Sequence, residues 1–97
     1  MISNLFTYEE VQEKPDFMII KFKDATYRGQ IKDKDLREGL GVMEYENQRV
    51  YEGGWLADRR QGRGYERYSN GNVYQGDFER GKASGQGIYN WMNGETY

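Results

Sequence analysis

Residues 51–73 read YEGGWLADRRQGRGYERYSNGNV, and residues 74–96 read YQGDFERGKASGQGIYNWMNGET. Tyr51, Gly53, Trp55, Gly62, Gly64, Tyr68 and Gly71 return as Tyr74, Gly76, Phe78, Gly85, Gly87, Trp91 and Gly94, each displaced by 23 positions. Tyr97 opens a further copy. Upstream, Tyr27, Gly29, Ile31, Gly39, Gly41 and Tyr45 form an earlier one, with one extra residue in the loop Lys32 to Glu38. A fixed period outranks any single-residue motif, because stacked units share a core that none of them could bury alone.

Each unit holds two short strand candidates, Tyr-x-Gly-x-(Ile/Trp/Phe) and Gly-x-Gly-x-x-x-aromatic. Two strands and two turns in 23 residues is the spacing of an antiparallel meander. Asn70-Gly71 and Asn93-Gly94 predict tight hairpin turns in which both residues tolerate positive φ. Asn47-Gln48 and Asp24-Ala25 occupy the matching places with weaker turn chemistry. The connections Leu56 to Gln61 and Glu79 to Ser84 read as looser loops.

Nine glycines (29, 39, 41, 53, 62, 64, 76, 85 and 87) fall inside these strands. Each costs about 0.5–1 kcal/mol relative to alanine, so they must permit something of comparable value. The simplest candidate is an aromatic ring lying over a neighbouring strand where any side chain would collide. Tyr27, Tyr51, Tyr74 and Tyr97 then form one row, and Ile31, Trp55 and Phe78 a second.

Residues 1–16 precede the repeat. Thr7 with Glu10 has capping-box spacing and Phe6 with Val11 staple spacing, which predicts a short helix over Tyr8 to Lys14, ended by Pro15. Phe17 to Lys23 alternates with period two, placing Met18, Ile20 and Phe22 on one face. This strand, with its turn, makes 17–26 an end cap. The repeats follow as 27–50, 51–73 and 74–96.

Composition narrows the function. The chain has 97 residues, fifteen of them aromatic (nine Tyr, four Phe, two Trp), and no cysteine or histidine. That removes disulfides, zinc–thiolate sites, thiol nucleophiles and the commonest general base. A net charge of −2 argues against nucleic-acid binding. With no membrane-length apolar run and no signal-like start, the expectation is an intracellular protein. Gly62-x-Gly64 and Gly85-x-Gly87 recur at the repeat period without a following helix or Gly-Lys-Ser/Thr, so they are not phosphate loops. Asp33, Asp35 and Glu38, interleaved with Lys32 and Lys34, lack the glycine and ligand count of a calcium loop. No metal, cofactor or catalytic group is expected, and the chain does not read as an enzyme.

Tyr51-Glu52-Gly53-Gly54-Trp55 with Gly62-Arg63-Gly64, and Tyr74-Gln75-Gly76-Asp77-Phe78 with Gly85-Gln86-Gly87, resemble the MORN repeat (membrane occupation and recognition nexus). The resemblance covers Tyr27 to Tyr97, with departures at Ile31, at Asp58 in place of the loop glycine, and at the extra residue of the first copy. It implies an all-β, elongated, curved single-layer meander of hairpins with a groove along one face. Such arrays occur in cytoskeletal and ciliary scaffolds, radial spoke heads, junctophilins, plant phosphatidylinositol phosphate kinases and the flank of some SET-domain methyltransferases, where another domain does any chemistry.

Three surfaces stand out as candidate sites. Tyr45, Tyr68, Tyr89 and Trp91 belong to an aromatic groove suited to a partner segment, and equally serve as core. Tyr97 opens a unit whose remainder is not in the sequence, so the chain reads as part of a longer array or as one whose C-terminal sheet edge pairs with another chain. Arg59, Arg60, Arg63 and Arg67 lie within nine residues and could hold a phosphoinositide head group or an acidic tail, against the plain reading of a solvated face. The leading expectation is a scaffold that packs against other proteins in a cytoskeletal or ciliary assembly, in the cytoplasm, cytoskeleton or axoneme. Membrane-lipid binding through the arginines, and service as the flank of an enzyme domain, are the alternatives.

Overall fold

The computed structural model describes residues 8–33 and 36–90. A short helix α1 (Tyr8–Gln12) precedes seven strands: β1 (Phe17–Lys21), β2 (Ala25–Lys32), β3 (Leu36–Tyr45), β4 (Val50–Leu56), β5 (Arg59–Arg67), β6 (Val73–Glu79) and β7 (Lys82–Asn90). All seven form one open antiparallel sheet in chain order. The expected all-β meander is therefore the fold. Tyr97, Trp91, Asn93-Gly94, Lys34, Asp35, Thr7 and Phe6 lie outside the described residues.

The glycines explain how a single layer holds together. Gly29 faces Gly41, which also faces Gly53; Gly53 faces Gly64, Gly64 faces Gly76, and Gly76 faces Gly87. This row of bare backbone crosses six strands from β2 to β7. Over it lie the phenol rings. A Cβ on Gly41 would sit 2.2 Å from the Tyr27 hydroxyl and 2.5 Å from its ring, and Gly64 and Gly87 stand in the same relation to Tyr51 and Tyr74. Each hydroxyl then donates to the carbonyl three residues on: Tyr27 to Gln30, Tyr51 to Gly54, Tyr74 to Asp77. The rings are thus fixed at both ends, by contact and by hydrogen bond.

Trp55 and Phe78 stand perpendicular between the tyrosines. Trp55 meets Tyr27 and Tyr51 edge-to-face at 5.4 and 5.2 Å, and Phe78 meets Tyr51 and Tyr74 at 5.0 and 5.3 Å. Such contacts add about 0.5–1.5 kcal/mol each beyond area burial. With Ile31 and Met43 these rings form the core of one face, here called the tyrosine face. The opposite face is sealed at its N-terminal end, where Val11 of α1 packs on Val42 with Phe17, Leu40 and Val50 around them.

Several expectations need correction. The helix stops at Gln12, two residues early, and β1 stops at Lys21 because Phe22 N–H already bonds the Ala25 carbonyl. The connections expected to be loose are tight two-residue turns: Ala57-Asp58 and Arg80-Gly81 all take positive φ, as the twist of a hairpin favours. Conversely, at Asn70-Gly71 only Gly71 has positive φ, and the Gly71 N–H bonds the Tyr68 carbonyl in a turn followed by a glycine bulge. Of the nine strand glycines, Gly39, Gly62 and Gly85 do not clear rings: nothing lies within 4 Å of a Cβ on Gly62, and Gly39 and Gly85 face Gln30 and Asp77.

Candidate functional site

The tyrosine face carries a charged centre. Glu66 lies opposite Tyr51 on β5 and is only 2% exposed. Arg49 places Nε and Nη2 2.7 and 2.6 Å from one of its oxygens, and Arg60 places Nη1 2.7 Å from the other. One buried carboxylate thus sits between two guanidinium groups, which leaves the cluster with a surplus positive charge. Burial of a carboxylate is tolerated only when paired in this way.

Aromatic rings frame this centre. The Arg49 guanidinium lies 4.9 Å from the Tyr45 ring centroid and 6.0 Å from that of Tyr68. Tyr68 and Tyr89 stack at 5.8 Å with planes inclined by 30°, and Asn72 Nδ2 donates to the Tyr89 hydroxyl. Arg60 also donates to the Tyr45 hydroxyl at 3.3 Å. Burial, followed by the charge of Glu66, pushes the Tyr68 phenol above its ordinary range. All three tyrosines are half-buried, with their inner parts against the core, so the candidate groove and the core reading describe two sides of the same rings. A shallow recess beside them is lined by Asp24, Tyr45, Glu46, Asn47 and Arg49.

The four arginines of β5 are not one patch. Arg60 lies on the tyrosine face, committed to Glu66 and stacked 5.1 Å over the Tyr51 ring. Arg63 pairs with Asp77 across the strand at 3.1 Å. Arg59 is opposite Leu56 and Arg67 opposite Val73, and neither has an ion pair among the described residues. The signal missed in the sequence is the period itself. Arg37 lies 23 residues before Arg60 and likewise covers rings, 6.0 Å from Tyr27 of its own unit and 4.6 Å from Trp55 of the next, while pairing with Asp58. Arg49, Glu66 and Asn72 had no repeat partner of the same type to flag them.

Among the described residues no group of three or more His, Cys, Asp or Glu side chains could hold a metal. No helix among them is long and apolar enough to cross a membrane. The arrangement offers half-open aromatic area beside a fixed guanidinium, which suits recognition. A family model described as MORN repeat matches residues 27–48, 51–73 and 74–96. No curated protein matches the chain.

Proposed function

The chain belongs to the MORN-repeat family, and on that premise we propose that it is a non-catalytic scaffold that grips a protein partner along the tyrosine face within a cytoskeletal or ciliary, radial-spoke-like assembly. Repeats of this family serve as protein-interaction or membrane-association modules. The observation that carries the protein reading is the pair of half-buried Tyr45 and Tyr68 around Arg49, with Tyr89 stacked on Tyr68 and Arg49 itself held in place by buried Glu66. Tyrosine and arginine are the residues that dominate protein interfaces, since they offer large area with few torsions to freeze. An acidic or aromatic segment of a partner is the matching chemistry. Lipid binding is less well supported, because Arg60 and Arg63 are already paired with carboxylates.

The test is a photo-crosslinking side chain placed at Tyr68, compared with one at Ile88 on the opposite face, in extract from ciliated cells. Adducts to an axonemal protein at position 68 alone, lost on R49Q, support the proposal. Equal labelling at both positions, or flotation with phosphoinositide vesicles that depends on Arg59 and Arg67, rejects it.

A further inference from the structure

We infer that β1 is the seam of a two-fold dimer, its outer edge pairing antiparallel with β1 of a second copy so that two seven-stranded sheets become one. The inference is independent of the proposed groove. It starts from the direction of backbone groups. Phe22 N–H bonds the Ala25 carbonyl and Ile31 N–H bonds the Asp16 carbonyl, so the even-numbered residues of this segment turn their polar groups toward β2. By the alternation of an antiparallel ladder, the N–H and C=O of Ile19 and Lys21 point the other way. Among the described residues no strand pairs with that edge.

The side chains there are apolar and open. Met18, Ile19 and Phe22 are 47%, 52% and 49% exposed, and they make up half of the large exposed hydrophobic side chains among the described residues. Natural edges are usually blunted by proline, bulges or inward charge, and within β1 there is none of these up to Lys21. Such an edge calls for a strand.

The segment itself selects a second copy as that strand. An isologous pair centred on Ile19 sets Ile19 against Ile19 of its partner copy as a hydrogen-bonded pair, and Met18 against Ile20. Its flanking charges are uneven: Lys21 and Lys23 outnumber Asp24 at one end, and Asp16 and Glu13 outnumber Lys14 at the other. Antiparallel pairing brings each basic end beside the acidic end of the other copy, twice over, whereas parallel pairing would set like charges together. One strand pair is a small interface, so association is weak and depends on concentration.

The chain has no cysteine, so a single introduced thiol reports on one contact. Sedimentation velocity across a wide concentration range should show the wild type passing from monomer to dimer. I19K, a change at a half-exposed side chain, should remain monomeric with the wild-type melt. Under mild oxidation I19C should cross-link roughly tenfold or more faster than L56C, whose site is equally exposed at 52%. A mixture of M18C with I20C should cross-link between copies and fix the register. A wild type that stays monomeric, a dimer that survives I19K, or I19C no faster than L56C each overturns the inference.

Discussion

Replacing Gly41 with alanine tests the idea that the glycine row exists to seat the tyrosine rings. Gly41 does not have positive φ, so alanine suits its backbone and by itself would stabilise by about 0.5–1 kcal/mol. The new Cβ, however, would lie 2.2 Å from the Tyr27 hydroxyl and 2.5 Å from two of its ring carbons. Tyr27 is fully buried, braced edge-on by Trp55, and cannot swing aside. Overpacking of that kind costs about 1–3 kcal/mol. Displacing the ring also breaks the bond from its hydroxyl to the Gln30 carbonyl, worth about 1 kcal/mol. The net is a loss of about 2–3 kcal/mol, or roughly 10–20 °C in melting temperature for a domain of this size. The decisive comparison is a double-mutant cycle with Y27L, which removes the colliding atoms. Measured by urea unfolding with tryptophan fluorescence, G41A should be neutral or stabilising in the Y27L background, giving a coupling of about 2–4 kcal/mol. Equal costs of G41A in both backgrounds would mean that ring and glycine do not meet, and the packing scheme would fall.

Gln48 holds the turn position that Gly71 fills one unit later and has φ of 70°, so Q48G should stabilise by about 1 kcal/mol, read as a higher urea midpoint. Truncating Glu66 to alanine leaves Arg49 and Arg60 without their shared carboxylate and should cost about 3 kcal/mol by the same assay, far more than removing exposed Asp77 from its pair with Arg63. Burial raises the Tyr27 and Tyr51 phenols well above their ordinary value, only partly opposed by Arg37 and Arg60. A raised folded-state value means this stability is complete below the unfolded phenol's value near pH 10 and is lost as pH rises past it, so the urea midpoint should fall there while phenolate absorbance appears together with unfolding. Phenolate absorbance from Tyr27 and Tyr51 in a still-folded protein would contradict their burial.

The repeat was legible because its signal is redundant. Tyr27, Tyr51 and Tyr74 each come with a glycine two places on, and the same spacing dictated both the meander and the ring-on-glycine packing. What escaped was of two kinds. Turn type at Ala57-Asp58 depends on paired positive φ that neither residue advertises, so a tight hairpin passed for a loop. Glu66 is the other kind, since nothing local shows that its partners are Arg49, seventeen residues away, and Arg60, six residues back. Pairings across strands are visible only once the register is set.

That register also shows why the charged centre arises where it does. Arg37 and Arg60 occupy equivalent positions, and in both cases the turn of the following hairpin docks against them: Asp58 N–H bonds the Arg37 carbonyl, and Gly81 N–H bonds that of Arg60. The backbone staple repeats, but the side chains do not. Asp58 supplies a carboxylate that draws the Arg37 guanidinium toward the turn, and this pairing holds the Asp58 carboxyl below its usual range. Gly81 has no carboxylate to offer, so Arg60 turns inward over Tyr51 and meets Glu66, which stands where the preceding unit has Met43. Arg49 completes the cluster from the connection that leads into β4. One glycine in a turn and one glutamate in a strand, each a departure from the neighbouring copy, convert a covering arginine into part of a fixed cationic site among half-open tyrosines. The repeated positions build the sheet, and the positions that differ between copies make one stretch of it chemically distinct from the rest.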